Sequence, residues 1–183
     1  MKILIIADDE GVVQTVPDVR ADVLISCGDL PDRAILEVAR RVGAPPVLAV
    51  KGNHDDGGPF ARGIIDIHLQ TRTIRGVRFG GFAGSWKYKP RGHYLFEQSD
   101  VYSALESFPN VDVFVAHNSP AGIHDKDDYV HYGFSAFAAY IADRQPRFFI
   151  HGHQHKNAES ILGRTKVVGV YGHRYMVVEE TNA

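Results

Sequence analysis

The chain carries carboxylates, imidazoles and one amide at spacings suited to divalent cations. In order they are Asp8 and Glu10, Asp29 and Asp32, then Asn53 and His54, then His117, then His153 and His155. Mixed imidazole and carboxylate donors suit Mn²⁺, Fe, Zn²⁺ or Ni²⁺ rather than an all-oxygen Mg²⁺ or Ca²⁺ site. A single carboxylate can bridge two cations ~3.5–4 Å apart, and such a pair suits phosphate-ester chemistry. Histidine is frequent, ten in 183 residues, and four of these lie at strand ends or directly after one.

These residues need elements that bring them together. Each group follows a short apolar run: Ile3–Ile6, Val23–Ile25, Val47–Val50, Val113–Val115 and Phe148–Ile150. Such runs, punctuated by Gly or Pro, read as strands buried on both faces. In open α/β sheets ligands gather outside the carboxyl ends of strands, so residues far apart in sequence are expected at one place. Pro31 suits a first helical position, with Ile35, Leu36, Val38, Ala39 and Val42 as the apolar face and Gly43 beyond the end. Ile65–Leu69, Thr71–Arg75 and Val77–Phe79 alternate and read as half-buried antiparallel strands or hairpins. Helices are expected over Ser99–Phe108 and around Phe134–Ile141, the latter stopped by Pro146. Further strands follow His155. Two sheets packed face to face with helices outside accommodate that order.

The motifs Asp8-x-Glu10, Gly28-Asp29-x-x-Asp32, Gly52-Asn53-His54-Asp55, a lone His117 and Gly152-His153-x-His155 resemble those of the calcineurin-like metallophosphoesterases. The resemblance runs from Asp8 to His155. It implies an α/β fold built as a four-layer αββα sandwich, with two mixed sheets flanked by helices and a dinuclear metal site at the strand C-terminal ends. It implies one domain over residues 1–183. One metal would be held by Asp8, Asp29 and His155 with Glu10 nearby, the other by Asp29, Asn53, His117 and His153, with Asp29 bridging. It implies hydrolysis of a phosphomonoester or phosphodiester by a metal-bridging hydroxide. His54, held by Asp32, would protonate the leaving group or stabilise the equatorial oxygens. The family usually places histidine where Glu10 stands. Here Asp8, Glu10 and Asp29 set three negative charges against the four positive charges of two divalent ions. The extra carboxylate favours a harder ion, Mn²⁺ first, with Fe, Zn²⁺ or Ni²⁺ as alternatives.

Substrate selection is expected from loops. The segment 84–94 mixes cations with aromatic faces in Trp86, Tyr88, Lys89 and Arg91, suited to stacking on a base and holding a second phosphate. Equally, Trp86 and Tyr94 could anchor a solvated loop into the core. The segment 124–131 is acidic and would gate the site or trim its metals. His151 is expected to end its strand without ligating, and Cys27 to be a core residue.

Bulk composition bounds the partners. A net charge of −2 supplies no general attraction for nucleic acid or anionic membrane. A single cysteine, no signal-peptide pattern and no long apolar run predict a cytoplasmic protein. The expected partner is a small-molecule phosphate ester or a nucleotide. Two other functions compete: a nuclease of the same family, and a catalytically weakened scaffold binding a protein partner.

Overall fold

The structure is a computed structural model and describes residues 1–180. In chain order the elements are β1 (Lys2–Ala7), α1 (Val12–Thr15), β2 (Val23–Ser26), α2 (Asp32–Val42), β3 (Val47–Ala49), β4 (Ile65–Asp66), β5 (Thr71–Ile74) and β6 (Val77–Phe82). Then come β7 (Ser85–Trp86), β8 (Leu95–Phe96), α3 (Gln98–Glu106), β9 (Val113–Ala116), α4 (Ser135–Arg144), β10 (Phe148–His151), β11 (Ala158–Leu162), β12 (Thr165–Gly169) and β13 (Gly172–Val177).

Two mixed sheets form the centre, in the strand orders β13-β1-β2-β3-β4 and β11-β12-β10-β9-β6-β5. The inner strands are parallel, whereas β13, β11 and β5 pair antiparallel at or near the edges. Side-chain alternation explains the three layers of core. Along β1, Ile3, Ile5 and Ala7 face the second sheet, meeting Phe79, Val113, Val115 and Ile150. Leu4 and Ile6 point the other way, onto Ile35, Val38 and Val42 of α2. On the far side Phe114 and Phe149 stack at 5.0 Å and pack against Phe137 and Ile141 of α4. Helix, sheet, sheet, helix is therefore the layer order. Strands buried on both faces lose their polar alternation, which is why they read as unbroken apolar runs.

Helix α2 ends as its sequence predicts. Gly43 adopts φ +62° and its N–H returns to Ala39 O, a left-handed cap. Pro31 precedes the helix rather than opening it, in an extended conformation, and Asp32 is the first helical residue. One expectation fails. Ile65–Leu69 is not part of an antiparallel hairpin: β4 pairs parallel with β3 at the edge of the first sheet. Ile67 turns fully into the core between the sheets, which overrides the alternation of its neighbours. Only β5 and β6 form the expected hairpin. Among the described residues no helix is long and apolar enough to cross a membrane.

Candidate metal centre

The carboxyl ends of β1, β2, β3, β9 and β10 open on one place. Ligand atoms of Asp29, His117 and His153 lie within 4.8 Å of one another. Asn53 joins them, its Oδ1 standing 3.0 Å from His117 Nε2. Asp29 Oδ2 lies 3.4 Å from the same nitrogen. All four residues expected to hold one cation are thus brought together.

The backbone is strained where the site forms. Asp8, Asp29, His153 and His155 all have positive φ, at 63°, 53°, 63° and 49°. Such conformations cost a non-glycine residue about 1–3 kcal/mol and persist where surrounding structure imposes them. The imposing contacts are visible. Asp55 Oδ2 accepts the N–H groups of Asp29, at 3.0 Å, and Gly52, at 2.7 Å, joining the loops after β2 and β3. Asp29 Oδ1 accepts the His54 N–H at 2.8 Å. Asp8 Oδ2 accepts the His153 N–H at 2.9 Å, tying the end of β1 to the end of β10. A Cβ on Gly52 would collide with Asp29 Oδ1 and lie 2.6 Å from His117 Cε1, so only glycine fits.

His117 is fully buried and its tautomer is set. A carbonyl can only accept, so Nδ1–H donates to Cys27 O at 2.8 Å and Nε2 is left as the ligating atom. Burial alone would lower the His117 pKa, but the facing Asp29 and Asp8 carboxylates raise it to about 9. Burial pushes Asp29 up as well, yet His117 and the His54 amide hold its carboxyl well below the ordinary range. Asp8 is pushed up to about 7, mainly by burial. Burial and the neighbouring His117 drive His153 well down, leaving it neutral with an available lone pair.

These features fit a cation. Asp8 Oδ1 is buried with no hydrogen-bond partner, an arrangement that costs stability unless something positive meets it. The proton on His117 Nε2 presently neutralises Asp29, and a divalent cation would compete for the same lone pair.

The other expected residues lie around this cluster. Glu10 is exposed and lines a cavity of ≈ 310 Å³ with Asp29, Asp32, Lys51, His54 and Asp55. His155 is exposed, its ring 6.2 Å from that of His131 and 5.4 Å from Tyr171. The expected pairing of His54 with Asp32 is corrected. Among the described residues no hydrogen bond joins them; Asp32 instead accepts the Ala61 N–H at 2.6 Å and faces Lys51 Nζ at 3.5 Å. The cause is the buried Lys51 ammonium, which draws Asp32 and Asp56 and sits over the Phe60 ring. Tyr88 reaches the site, its hydroxyl accepting from Asn53 Nδ2 at 3.2 Å, and Lys89 Nζ lies 5.1 Å from the Tyr88 ring centre. Arg91 is exposed. Trp86 packs partly on the helix-side core and donates its indole N–H to Tyr129 O at 2.7 Å. His151 ends β10, as expected, and bonds to His124 rather than to the cluster. Reading by residue type missed Lys51, the Asp55 clamp and the Cys27 carbonyl. Asp55 follows Asn53-His54 in the motif and could have been flagged; a backbone carbonyl leaves no trace in sequence.

A model of the calcineurin-like phosphoesterase superfamily domain matches residues 1–178. No curated protein matches the chain. Solved structures share the fold at low identity. Phosphopantetheinyl hydrolase from Mycobacterium tuberculosis aligns at a TM-score of 0.61 and 13% identity, covering 100% of this chain and 98% of that one. The protein TT1561 of Thermus thermophilus aligns at 0.61 and 16%, covering 92% and 88%. A single mutant of Vps29 from Entamoeba histolytica aligns at 0.51 and 15%, covering 92% and 73%. Matched over nearly its whole length by that domain model, the chain belongs to the calcineurin-like phosphoesterase superfamily.

Proposed function

We propose that this single-domain protein is a metal-dependent phosphoesterase hydrolysing a small phosphate monoester or diester, a nucleotide among them. The observation that supports this most is the meeting of Asp29, Asn53, His117 and His153 at one point, with the buried Asp8 oxygen unpartnered beside them. Asp29, Asn53, His117 and His153 would hold one cation; Asp8, Asp29 and His155, with Glu10 nearby, would hold a second. Mn²⁺ is the leading candidate for both. Bound there, divalent cations supply Lewis acidity, lowering the pKa of water and neutralising phosphoryl charge.

The chain's own residues do the rest. The Cys27 carbonyl fixes the His117 tautomer, and Asp55 fixes the loops that carry Asp29 and Asn53. His54 stands exposed at the mouth of the cavity, its backbone tied to Asp29, and donates a proton to the leaving oxygen. Asp32 positions Lys51 in the cavity wall rather than His54. Tyr88 meets Asn53, and with it Lys89, Arg91 and Trp86 would contact the substrate. The cavity is acidic, with Glu10, Asp29, Asp32, Asp55 and Asp56 against Lys51 and His54, which repels a polyanion and favours a small substrate over nucleic acid.

Elemental analysis of protein purified without added metal, paired with hydrolysis of chromogenic mono- and diesters under Mn²⁺, Ni²⁺, Zn²⁺ and Mg²⁺, tests the reading. Asp29→Asn should abolish metal-dependent hydrolysis. Undiminished turnover in that variant would overturn the shared role of Asp29.

A further inference from the structure

The segment 128–132 runs beside the metal centre, and the segments that carry the proposed ligands fix its position. Val130 O lies 3.3 Å from His153 Nε2. His131 O accepts from Gln154 Nε2 at 2.9 Å, and Tyr132 O accepts from Asn118 Nδ2 at 2.9 Å. Gln154 stands between His153 and His155, and Asn118 follows His117. Both amide side chains are buried, and Gln154 Nε2 also donates to Ser119 Oγ at 3.0 Å. Trp86 supports the segment from outside: its N–H goes to Tyr129 O, and its ring packs edge to face with Tyr129 and Tyr132. Buried amides committed to loop carbonyls hold the loop in one place.

What this segment presents is an oriented imidazole. His131 Nδ1 lies 2.9 and 2.8 Å from the two carboxylate oxygens of Asp128. A carboxylate only accepts, so Nδ1–H donates and Nε2 keeps the lone pair. Among the described residues Nε2 has no hydrogen-bond or ion-pair partner. Asp128 is itself fixed, accepting the N–H groups of Val130 at 2.9 Å and His131 at 2.7 Å. Donation of one ring nitrogen to a carboxylate is the arrangement that orients metal-ligating histidines. The His131 ring centre lies 5.2 Å from that of His153 and 6.2 Å from that of His155. Two imidazoles on one cation, each bonded at about 2.1 Å, bring their ring centres to roughly 4.5–5.5 Å. His117 and His153 stand at 4.9 Å, within that range. An ion pair serving the surface alone would gain little and would need none of the buried anchors.

We propose that His131 is a further ligand of the metal centre, oriented by Asp128. The inference rests on the metal-centre reading above and adds one donor to it. Donor count assigns His131 to the cation of Asp8, Asp29 and His155, which has three protein donors against four for the other. Glu10 faces the Lys51 cavity instead. A neutral imidazole in place of the Glu10 carboxylate leaves the ion a stronger Lewis acid.

Metal-free protein is titrated with Mn²⁺ and with Co²⁺ by calorimetry, and the visible spectrum of the Co²⁺-loaded protein is recorded. The unaltered chain should bind two ions. His131→Ala should weaken one of them at least about tenfold and shift the Co²⁺ bands, because a nitrogen donor is lost. Added imidazole should move the bands back, which it would not do if His131 served the fold alone. Asp128→Asn keeps the ring but loses the carboxylate charge, and should weaken the same ion about tenfold. Thermal melts of the metal-free variants separate lost ligation from misfolding, and Asp128→Asn answers independently if His131→Ala does not fold. Equal affinity for both ions and an unchanged Co²⁺ spectrum in His131→Ala would overturn the ligand role and leave the phosphoesterase reading in place. An unaltered chain that binds no ion would overturn both. Two bound ions, one weakened by His131→Ala, without hydrolysis of any ester would support the ligand and remove the phosphoesterase reading.

Discussion

Asp55 shows how much of this site rests on residues that would touch neither metal nor substrate. One carboxylate oxygen accepts the amides of Asp29 and Gly52, which start the loops bearing the proposed ligands Asp29 and Asn53. Burial is the main influence on it and raises its pKa, so it holds this post against a desolvation cost. Asp55→Ala strands two amide donors and should cost about 1–3 kcal/mol. It should also lower bound metal, since Asp29 then loses the contact that sustains its positive φ. A thermal melt and elemental analysis of the variant check both. Loss of stability with full metal content would mean that Asp55 serves the fold alone. At this scale the clustering of Asp29, Asn53, His117 and His153 was legible, because metal chemistry restricts candidate ligands to a few side chains. The pairing of Asp32 was not, because it depends on Lys51, whose burial at the end of β3 has no local signature.

The end of β10 is the element on which the histidine pair depends. His151 is fully buried and its Nδ1–H donates to Gly152 O, so its Nε2 must accept. His124 Nδ1–H supplies that hydrogen bond at 2.9 Å, and His124 Nε2 in turn accepts from Ser160 Oγ at 2.9 Å. This chain of bonds pins the strand end, two residues before His153, to the 124 loop and to β11. His124→Ala leaves His151 Nε2 buried and unsatisfied, costing about 1–3 kcal/mol. Metal content should fall as well, because the Gly152–His153 turn loosens. Ser160→Ala, which leaves the hydrogen bond from His124 to His151 in place, should be milder in both measurements. Equal effects of the two variants would show that the chain does not act through His151. The parallel strands themselves were plain from sequence, since burial on both faces leaves long apolar runs. β4 was not: two residues pairing at a sheet edge fall below what alternation can resolve.

Across the whole molecule, the metal-free centre is a store of coupled charge that links stability to pH. His117 has a folded pKa of about 9 against 6.5 for the free side chain. A pKa raised on folding contributes stability that is complete below pH 6.5 and lost as pH rises through about 9. Asp8, raised to about 7, acts in the same direction at lower pH. Burial lowers His151 and His153, which opposes this below pH 6.5, so metal-free protein should melt lower at pH 9 than at pH 7. Added Mn²⁺ or Zn²⁺ should raise the melting temperature, most at the alkaline end, and release protons on binding. A pH-independent melt in chelator would contradict the buried His117–Asp29 pair. Calorimetry in two buffers of different ionisation heat would measure the protons released.

Residue order alone was enough for the family, the alternation of buried strands with helices, and the Asp29, Asn53, His117 and His153 that meet at the centre. Each of these is written locally, in apolar runs, in glycine punctuation and in side chains whose chemistry has few uses. Folding settled the rest: which cation Asp32 faces and which backbone carbonyl sets the His117 tautomer. Those relations join residues remote along the chain, and contact between them is fixed by how the two sheets pack and where their loops are thrown.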